Sequence, residues 1–476
     1  MKIYDVGVLG GGVIGCEIAR RLTDLSLKTA LIEKCADVAE GGATKANSGI
    51  IHAGFDCKVG TKKAKFNVLG SKMYPEIAKR LGVEVKNVGA IVVGREGDLE
   101  KIKGLYNQGI ANGVEGIEII EREEIEKFLP TVNKEIKYAL YAKTSSIVSP
   151  YQMAIAMAEE AALNGCDFYF ESPVEKVEKV DGYYKLETKD GEILCKVVVN
   201  ATGAGSAKVN QIFGAEKFDL RFARGEYCLL DLTERDFVKC TVFPLPSKLG
   251  KGVLVSPTVH GNVILGPTAI DCQADENVIS QEGLDYLKNN VALVCDNVNY
   301  RKNIRVFAGN RVISGDDFII EKSKLVDNYV YLGGICSPGL SSAPAIALEV
   351  ARLVEECGLT LKQKESYIPR KPYTDTHALT KEEHNELIKK DGSYGKIVCR
   401  CEKITEGEIL EAVRSPLRPK TVDGVKRRVR AGMGRCQGGF CMPTVMEIIA
   451  KENGLELSDI TKFGANSYIV LNKAEE

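Results

Sequence analysis

Four cysteines near the end of the chain stand in two tight pairs. Cys399 and Cys401 lie in CRCEKITEGEILEAV, and Cys436 and Cys441 lie in GRCQGGFCMP, with 34 residues between the pairs. Thiolate sets of this kind hold zinc or an iron–sulfur cluster. Zinc ribbons favour C-x2-C, and C-x-C is too tight for their usual knuckle. The glycine-rich GMGRCQGGFC can wrap a cluster and aim backbone N–H groups at sulfur. The basic run KRRVRAGMGR, residues 426–435, reads as a solvated face, or as charge that offsets a cluster or docks an acidic electron acceptor.

A second constellation opens the chain. GVLGGGVIG places Gly10, Gly12 and Gly15 as G-x-G-x-x-G between an apolar strand and an amphipathic helix. The first glycine allows the tight turn, the second lets backbone approach a pyrophosphate on the helix N-terminus, and the third lets helix and strand pack closely. Glu33 closes the next strand 18 residues after Gly15, where a carboxylate binds a ribose hydroxyl and disfavours a 2′-phosphate. The loop by itself does not separate FAD from NAD.

The elements around these motifs form an α/β chain. Residues 3–9, 13–25 and 28–33 read strand, helix, strand, and strand and helix signals alternate from there without internal repeats. Residues 151–163 read as a helix, 196–200 and 329–335 as strands, and 362–375 as a polar linker with two prolines. Thr380 with Glu383, and Thr405 with Glu408, are spaced as capping boxes. At 476 residues the chain is too long for one core. A net charge of −1 gives no general attraction to nucleic acid or anionic membranes. No apolar run reaches the ~18 residues of a membrane helix, and the glycine-broken N-terminus reads as a strand, not a signal peptide. With 15 mostly scattered cysteines this points to reduced thiols and a cytoplasmic protein.

NSGIIHAGFD (47–56), VVVNATGAGS (197–206), FAGNRVISGDDF (307–318) and GICSPGLSSAPAIA (334–347) follow in order. Together they resemble the FAD-dependent D-amino-acid oxidase superfamily. Within it they are most similar to soluble glycerol-3-phosphate oxidases and dehydrogenases and to L-2-hydroxyglutarate oxidases. Residues 396–445 resemble the bacterioferritin-associated ferredoxin-like domain. The resemblance implies a Rossmann-like FAD-binding domain with an inserted α+β substrate cap, followed by a small helical [2Fe-2S] domain. In numbers, it implies an oxidoreductase over 1–365, with FAD-binding parts at about 1–75, 146–214 and 309–360 and the cap at about 76–145 and 215–308. A linker and helix (366–395), the cluster domain (396–445) and a C-terminal extension (446–476) follow. It carries the flavin contacts onto Gly10, Gly12, Gly15, Glu33, Lys34, Asn47, Ser48, Gly49, Val174, Ala201, Gly203, Gly339, Leu340 and Ser341, and the [2Fe-2S] ligands onto Cys399, Cys401, Cys436 and Cys441.

Oxidising a secondary alcohol or amine requires a hydride acceptor, a base for the proton and a clamp for the substrate's anionic group. His52, in the flavin-contacting turn, is the expected base or electrostatic partner. His260, in the loop SPTVHGN, is a second candidate, while His377 and His384 read as solvated. Arg311 matches the family arginine that pairs with carboxylate or phosphate. Lys248 or Lys251 would add a cation for a phosphate, and Ser337 follows the last strand close to flavin and substrate. One departure stands out: the membrane-type enzymes carry an arginine soon after the histidine and glycine, where this chain has Phe55 and Asp56.

The expected activity is oxidation of sn-glycerol 3-phosphate to dihydroxyacetone phosphate with FAD, the electrons leaving through a [2Fe-2S] cluster to an acceptor other than oxygen. The alternatives are an L-2-hydroxyglutarate, other 2-hydroxy-acid or amino-acid dehydrogenase, and a redox-sensing or electron-transfer subunit. The expected partners are a small anionic substrate and an electron-acceptor protein or partner oxidoreductase subunit, with neither nucleic acid nor an integral membrane segment.

Overall fold

The first strand, Lys2–Leu9, is flanked in parallel by Thr29–Ile32 and by Gly191–Asn200, with Val8 opposite Leu31 and Val199. This sheet grows outward through Asp167–Tyr169 on one side and Tyr329–Gly333 on the other, both parallel. Antiparallel strands Val177–Val180, Tyr183–Thr188 and Ile319–Lys322 bring it to eight. Near-continuous apolar runs such as KVVVN are what a parallel sheet covered on both faces demands. Val6, Val8, Val197 and Val199 pack with Ile18 and Leu22 of helix Val13–Asp24 and with Ile346 and Val350 of helix Gly339–Glu355, all buried. The computed structural model describes residues 1–246, 252–274 and 276–470; Lys248 and Lys251 lie outside them.

A second, nine-stranded sheet takes its strands from two separate stretches of chain. Ala90–Arg95, Ile117–Glu121 and Ile136–Ala142 come from the first, and Arg221–Leu230 through Asn303–Ile313 from the second. The two long strands Arg221–Leu230 and Asn303–Ile313 pair antiparallel, with Ala223 opposite Arg311, Gly225 opposite Gly309 and Tyr227 opposite Phe307. Side chains alternate across a strand, so these three pairs share one face. Gly309 lets that face close on the first domain, because a Cβ there would collide with the Ala46 carbonyl oxygen. The fold is therefore α/β with an inserted mixed sheet, as expected.

The C-terminal region is a short hairpin, Ile397–Cys399 with Ile404–Thr405, and three helices, Glu406–Val413, Val422–Val429 and Met442–Asn453. They close on Ile409, Val425, Ile449 and Ile460. Both capping boxes form, Thr380 with Glu383 and Thr405 with Glu408.

The basic run corrects an expectation. Lys426, Arg427 and Arg428 are buried, not solvated. Arg428 holds Asp37 (2.6 Å) and Glu159 (3.3 Å), and Arg427 reaches Asp37 and Glu40, each at 3.1 Å. Arg370, from the polar connecting segment, adds a 2.6 Å bond to Glu159, and the Tyr373 hydroxyl donates to the same carboxylate. The acids come from parts of the chain remote in sequence, so the run alone does not reveal its partners. Burying these cations is tolerable only because carboxylates meet them.

Candidate flavin and thiol sites

Gly10 turns with φ +104, and a Cβ on Gly15 would collide with its carbonyl oxygen, so this bend admits only glycine at its far side. Helix Val13–Asp24 starts at Gly12 without a side-chain cap on that residue, and Thr44 Oγ1 accepts from Val13 N–H at 3.0 Å. Glu33 folds back under the loop, accepting from Gly11 N–H (2.5 Å) and Cys35 N–H (2.8 Å). A carboxylate has about four lone-pair sites, so two bonds leave room for a diol.

A cavity of about 620 Å³ runs from this loop to the second sheet. Glu33, Lys34 and Val174 line it, Ser172 N–H being bonded to the Glu33 carbonyl at 2.9 Å. Gly10, Gly12, Ala201 and Gly203 line it too. Asn47, Ser48, His52, Ser337, Gly339, Leu340 and Arg311 complete it. A cavity of this size with a side-chain-free helix N-terminus and an acid beside it fits a dinucleotide such as FAD.

Three expected contacts lie behind the wall. Gly15 supports the turn. Gly49 (φ +67) approaches the Val148 carbonyl too closely for any Cβ. Ser341 Oγ accepts from His52 N–H at 2.8 Å. Asn67 Nδ2 donates to the His52 carbonyl at 3.0 Å, so the His52 backbone is held on both sides. Its ring Nε2 lies 3.4 Å from Ser337 Oγ, and the ring sits 5.8 Å from that of Phe243.

Arg311 has no carboxylate partner among the described residues. It shares its strand face with Tyr227, which stacks on Phe307 at 4.8 Å. Burial pushes the Tyr227 phenol up to about 12, against the pull of the Arg311 charge, so it stays a hydroxyl. The cavity thus brings His52, Ser337 and Arg311 together. It does not include His260, which bonds Gln152 at 3.1 Å where the second sheet meets the C-terminal region. Burial, with Arg430 and Lys86 nearby, holds the His260 imidazolium well below its usual range. Phe55 is buried among Ile102, Val114 and Ile117, so that side chain faces core and not the cavity. Tyr227, Phe243, Leu254 and Thr44 were missed; the i, i+2, i+4 alternation of Ala223, Gly225 and Tyr227 is the signal that would have found the first.

The cysteines assemble as two thiol pairs. Cys401 Sγ and Cys436 Sγ are 3.5 Å apart, and Cys399 is hydrogen-bonded to Cys441. Gly432 N–H donates to Cys399 Sγ at 3.4 Å. The Cys441 thiol and that N–H hold the Cys399 thiol down to about 6, and Cys441 moves up in return. Among the described residues no three His, Cys, Asp or Glu converge as a single-ion site. Two adjacent sulfur pairs are the donor set of a binuclear cluster, two thiolates for each iron.

A Rossmann-like sheet with a dinucleotide cavity closed by an inserted sheet, followed by a four-thiol domain, defines a flavin-dependent oxidoreductase with its own iron–sulfur module. The chain belongs to the DAO family, FAD dependent oxidoreductase, which matches residues 5–353; a BFD-like [2Fe-2S] binding domain matches residues 397–451. It is 44% identical over 473 residues, 98% of each chain, to the glycerol 3-phosphate dehydrogenase of Caloramator mitchellensis. The L-alpha-glycerophosphate oxidase of Mycoplasma pneumoniae, solved with FAD bound, superposes with a TM-score of 0.73 at 32% identity, over 77% of this chain and 98% of that one. The mitochondrial L-2-hydroxyglutarate dehydrogenase of Homo sapiens is 29% identical over 56% of this chain and 61% of its own. The protein is thus an FAD-dependent oxidoreductase of glycerol-3-phosphate dehydrogenase type with a [2Fe-2S] domain. No helix among the described residues is long and apolar enough to cross a membrane.

Proposed function

We propose that this chain oxidises sn-glycerol 3-phosphate to dihydroxyacetone phosphate and passes the electrons through its [2Fe-2S] cluster to an acceptor other than oxygen. The observation that carries the reading is the convergence of His52, Ser337 and Arg311 in the flavin cavity, on a chain similar over its whole length to a glycerol 3-phosphate dehydrogenase. FAD, when bound, supplies the two-electron acceptor for the carbinol hydride. His52 Nε2 takes the hydroxyl proton, a role worth about 10²–10⁴-fold. Ser337 Oγ, 3.4 Å away, orients the ring. Arg311, with no carboxylate partner among the described residues, clamps the phosphate, and Tyr227, Phe243 and Leu254 keep water from the reacting carbon. Residues 76–145 and 215–308 serve as the substrate cap, and Lys251 or Lys248 supplies a second cation. The site works in the cytoplasm, a placement supported by 15 unbridged cysteines.

Anaerobic bleaching of the flavin tests this. Glycerol 3-phosphate should reduce it within seconds, and L-2-hydroxyglutarate and amino acids should not. Bleaching by the diacid and not by the phosphate ester would overturn the substrate.

A further inference from the structure

The loop that carries the second cysteine pair presents an aromatic ring to solvent. Phe440, immediately before Cys441, is 84% exposed, more than any other large apolar side chain among the described residues. Single exposed apolar side chains are ordinary on protein surfaces, so exposure alone decides nothing. Its surroundings do. Within segments 399–403 and 435–441 the exposed side chains are Arg400, Lys403, Arg435 and Phe440. The only acid in those segments, Glu402, is buried and bonded to Arg430 at 2.7 Å. From the neighbouring sheet the exposed Arg305 donates to Gln437 Oε1 at 2.8 Å, which places another cation at the loop. Acids lie near it too: Asp231, bonded to Arg435 at 3.0 Å, Asp236, in the cleft beside Cys401, and the exposed Asp375, which accepts from the N–H of His377, whose ring bonds the Glu402 carbonyl at 2.9 Å. The chain as a whole carries a net charge of −1, so the basic excess is local. Behind the rim, Cys401 and Cys436 are the less buried of the two thiol pairs.

We propose that this rim is the docking face for a one-electron carrier protein whose redox centre is framed by acidic side chains. Phe440 seats in the apolar centre of that partner, and Arg305, Arg400 and Lys403 meet its acidic frame. Complementary charge of this kind sets encounter rate and orientation more than final affinity, which suits a partner that must leave after each electron. One alcohol oxidised to one ketone releases two electrons and two protons. Two oxidised carriers must therefore dock in turn, each leaving reduced by one electron, while the protons go to solvent. The inference rests on the proposed exit of electrons through the cluster.

The test uses the full-length holoenzyme, reduced by glycerol 3-phosphate under anaerobic conditions. Two haem probes of opposite charge report delivery: the soluble domain of cytochrome b5, acidic around its haem, and cytochrome c, basic around its own. Flavin bleaching measured without any probe reports the proposed oxidation separately, so failure of one reading is distinguishable from failure of the other. The acidic probe should be reduced faster, and its rate should fall about tenfold as salt rises from about 0.02 to about 0.3 M. Phe440→Ala and Arg400→Glu should each slow it about tenfold with bleaching unchanged and iron retained. Should either lose iron, Arg305→Glu, on a strand outside the cluster domain, still tests the face and should slow it several-fold. Faster reduction of cytochrome c, or rates indifferent to salt and to Arg305→Glu, would overturn the proposal. So would capture of anionic phosphatidylglycerol vesicles, or self-association of the enzyme, lost in Phe440→Ala; these would assign the face to a membrane or to a second copy.

Discussion

His52 and Arg311 are placed by different means, and their substitutions should fail differently. The His52 backbone is fixed by Ser341 and Asn67, so the turn survives loss of the ring. His52→Ala should keep FAD near wild type and slow flavin reduction by at least ~10²-fold in stopped flow. A variant that lost flavin instead would make the ring structural. Arg311 stands on a paired strand with no carboxylate to hold it among the described residues. Arg311→Ala should cost ~2–5 kcal/mol in kcat/KM for glycerol 3-phosphate, and Arg311→Lys should recover only part, because an ammonium lacks the planar fork. Reduction of the Arg311→Ala flavin at the wild-type rate and substrate concentration would remove it from the clamp.

Helix Val422–Val429 owes its place to charge. Arg428 is wholly buried, and Asp37 and Glu159 are its only carboxylate partners among the described residues. Arg370 has no carboxylate partner but Glu159 among the described residues, so Glu159→Gln strands that buried charge and should lower stability by about 3–5 kcal/mol, read from denaturant midpoints. A loss below about 1 kcal/mol would show that the clamp does not hold the domains together.

Glu40 behaves differently. Burial pushes its carboxyl up to about 7, against the pull of Arg427. Between the ordinary carboxylate range and that value the folded chain keeps a proton that the unfolded chain has released. Its contribution to stability therefore falls as pH rises through that window. Glu40→Gln should flatten the decline in Tm between pH 5 and about 7, and Arg427 keeps Asp37 as partner. An unchanged profile would mean that Glu40 is ionised throughout.

Across the whole molecule the flavin cavity and the thiol pairs belong to separate cores joined by that ionic contact. Cys436→Ser should therefore remove iron, leave FAD at about one per chain, and leave bleaching by substrate intact while delivery to external acceptors stops. Loss of both cofactors together would show that the C-terminal region supports the flavin domain, and stoichiometric zinc without iron in the wild type would overturn the cluster.

What local chemistry demands was legible in the residues themselves. The glycine turn, Glu33, the capping boxes and the four thiols each meet a requirement of a few adjacent positions, so their types and spacing carry the information. What depends on segments meeting from far apart was not. Arg427 and Arg428 look like part of a solvated face until Asp37, Glu40 and Glu159 arrive from elsewhere in the chain. His260 looks like a site residue until the second sheet turns it toward Gln152. Tyr227 enters the cavity only because the register of two antiparallel strands puts it on the face of Arg311. Side-chain types determine which bonds a chain is able to make. Sheet register and domain docking decide which groups come close enough to make them, because a charge or ring acts only over a few ångströms once buried.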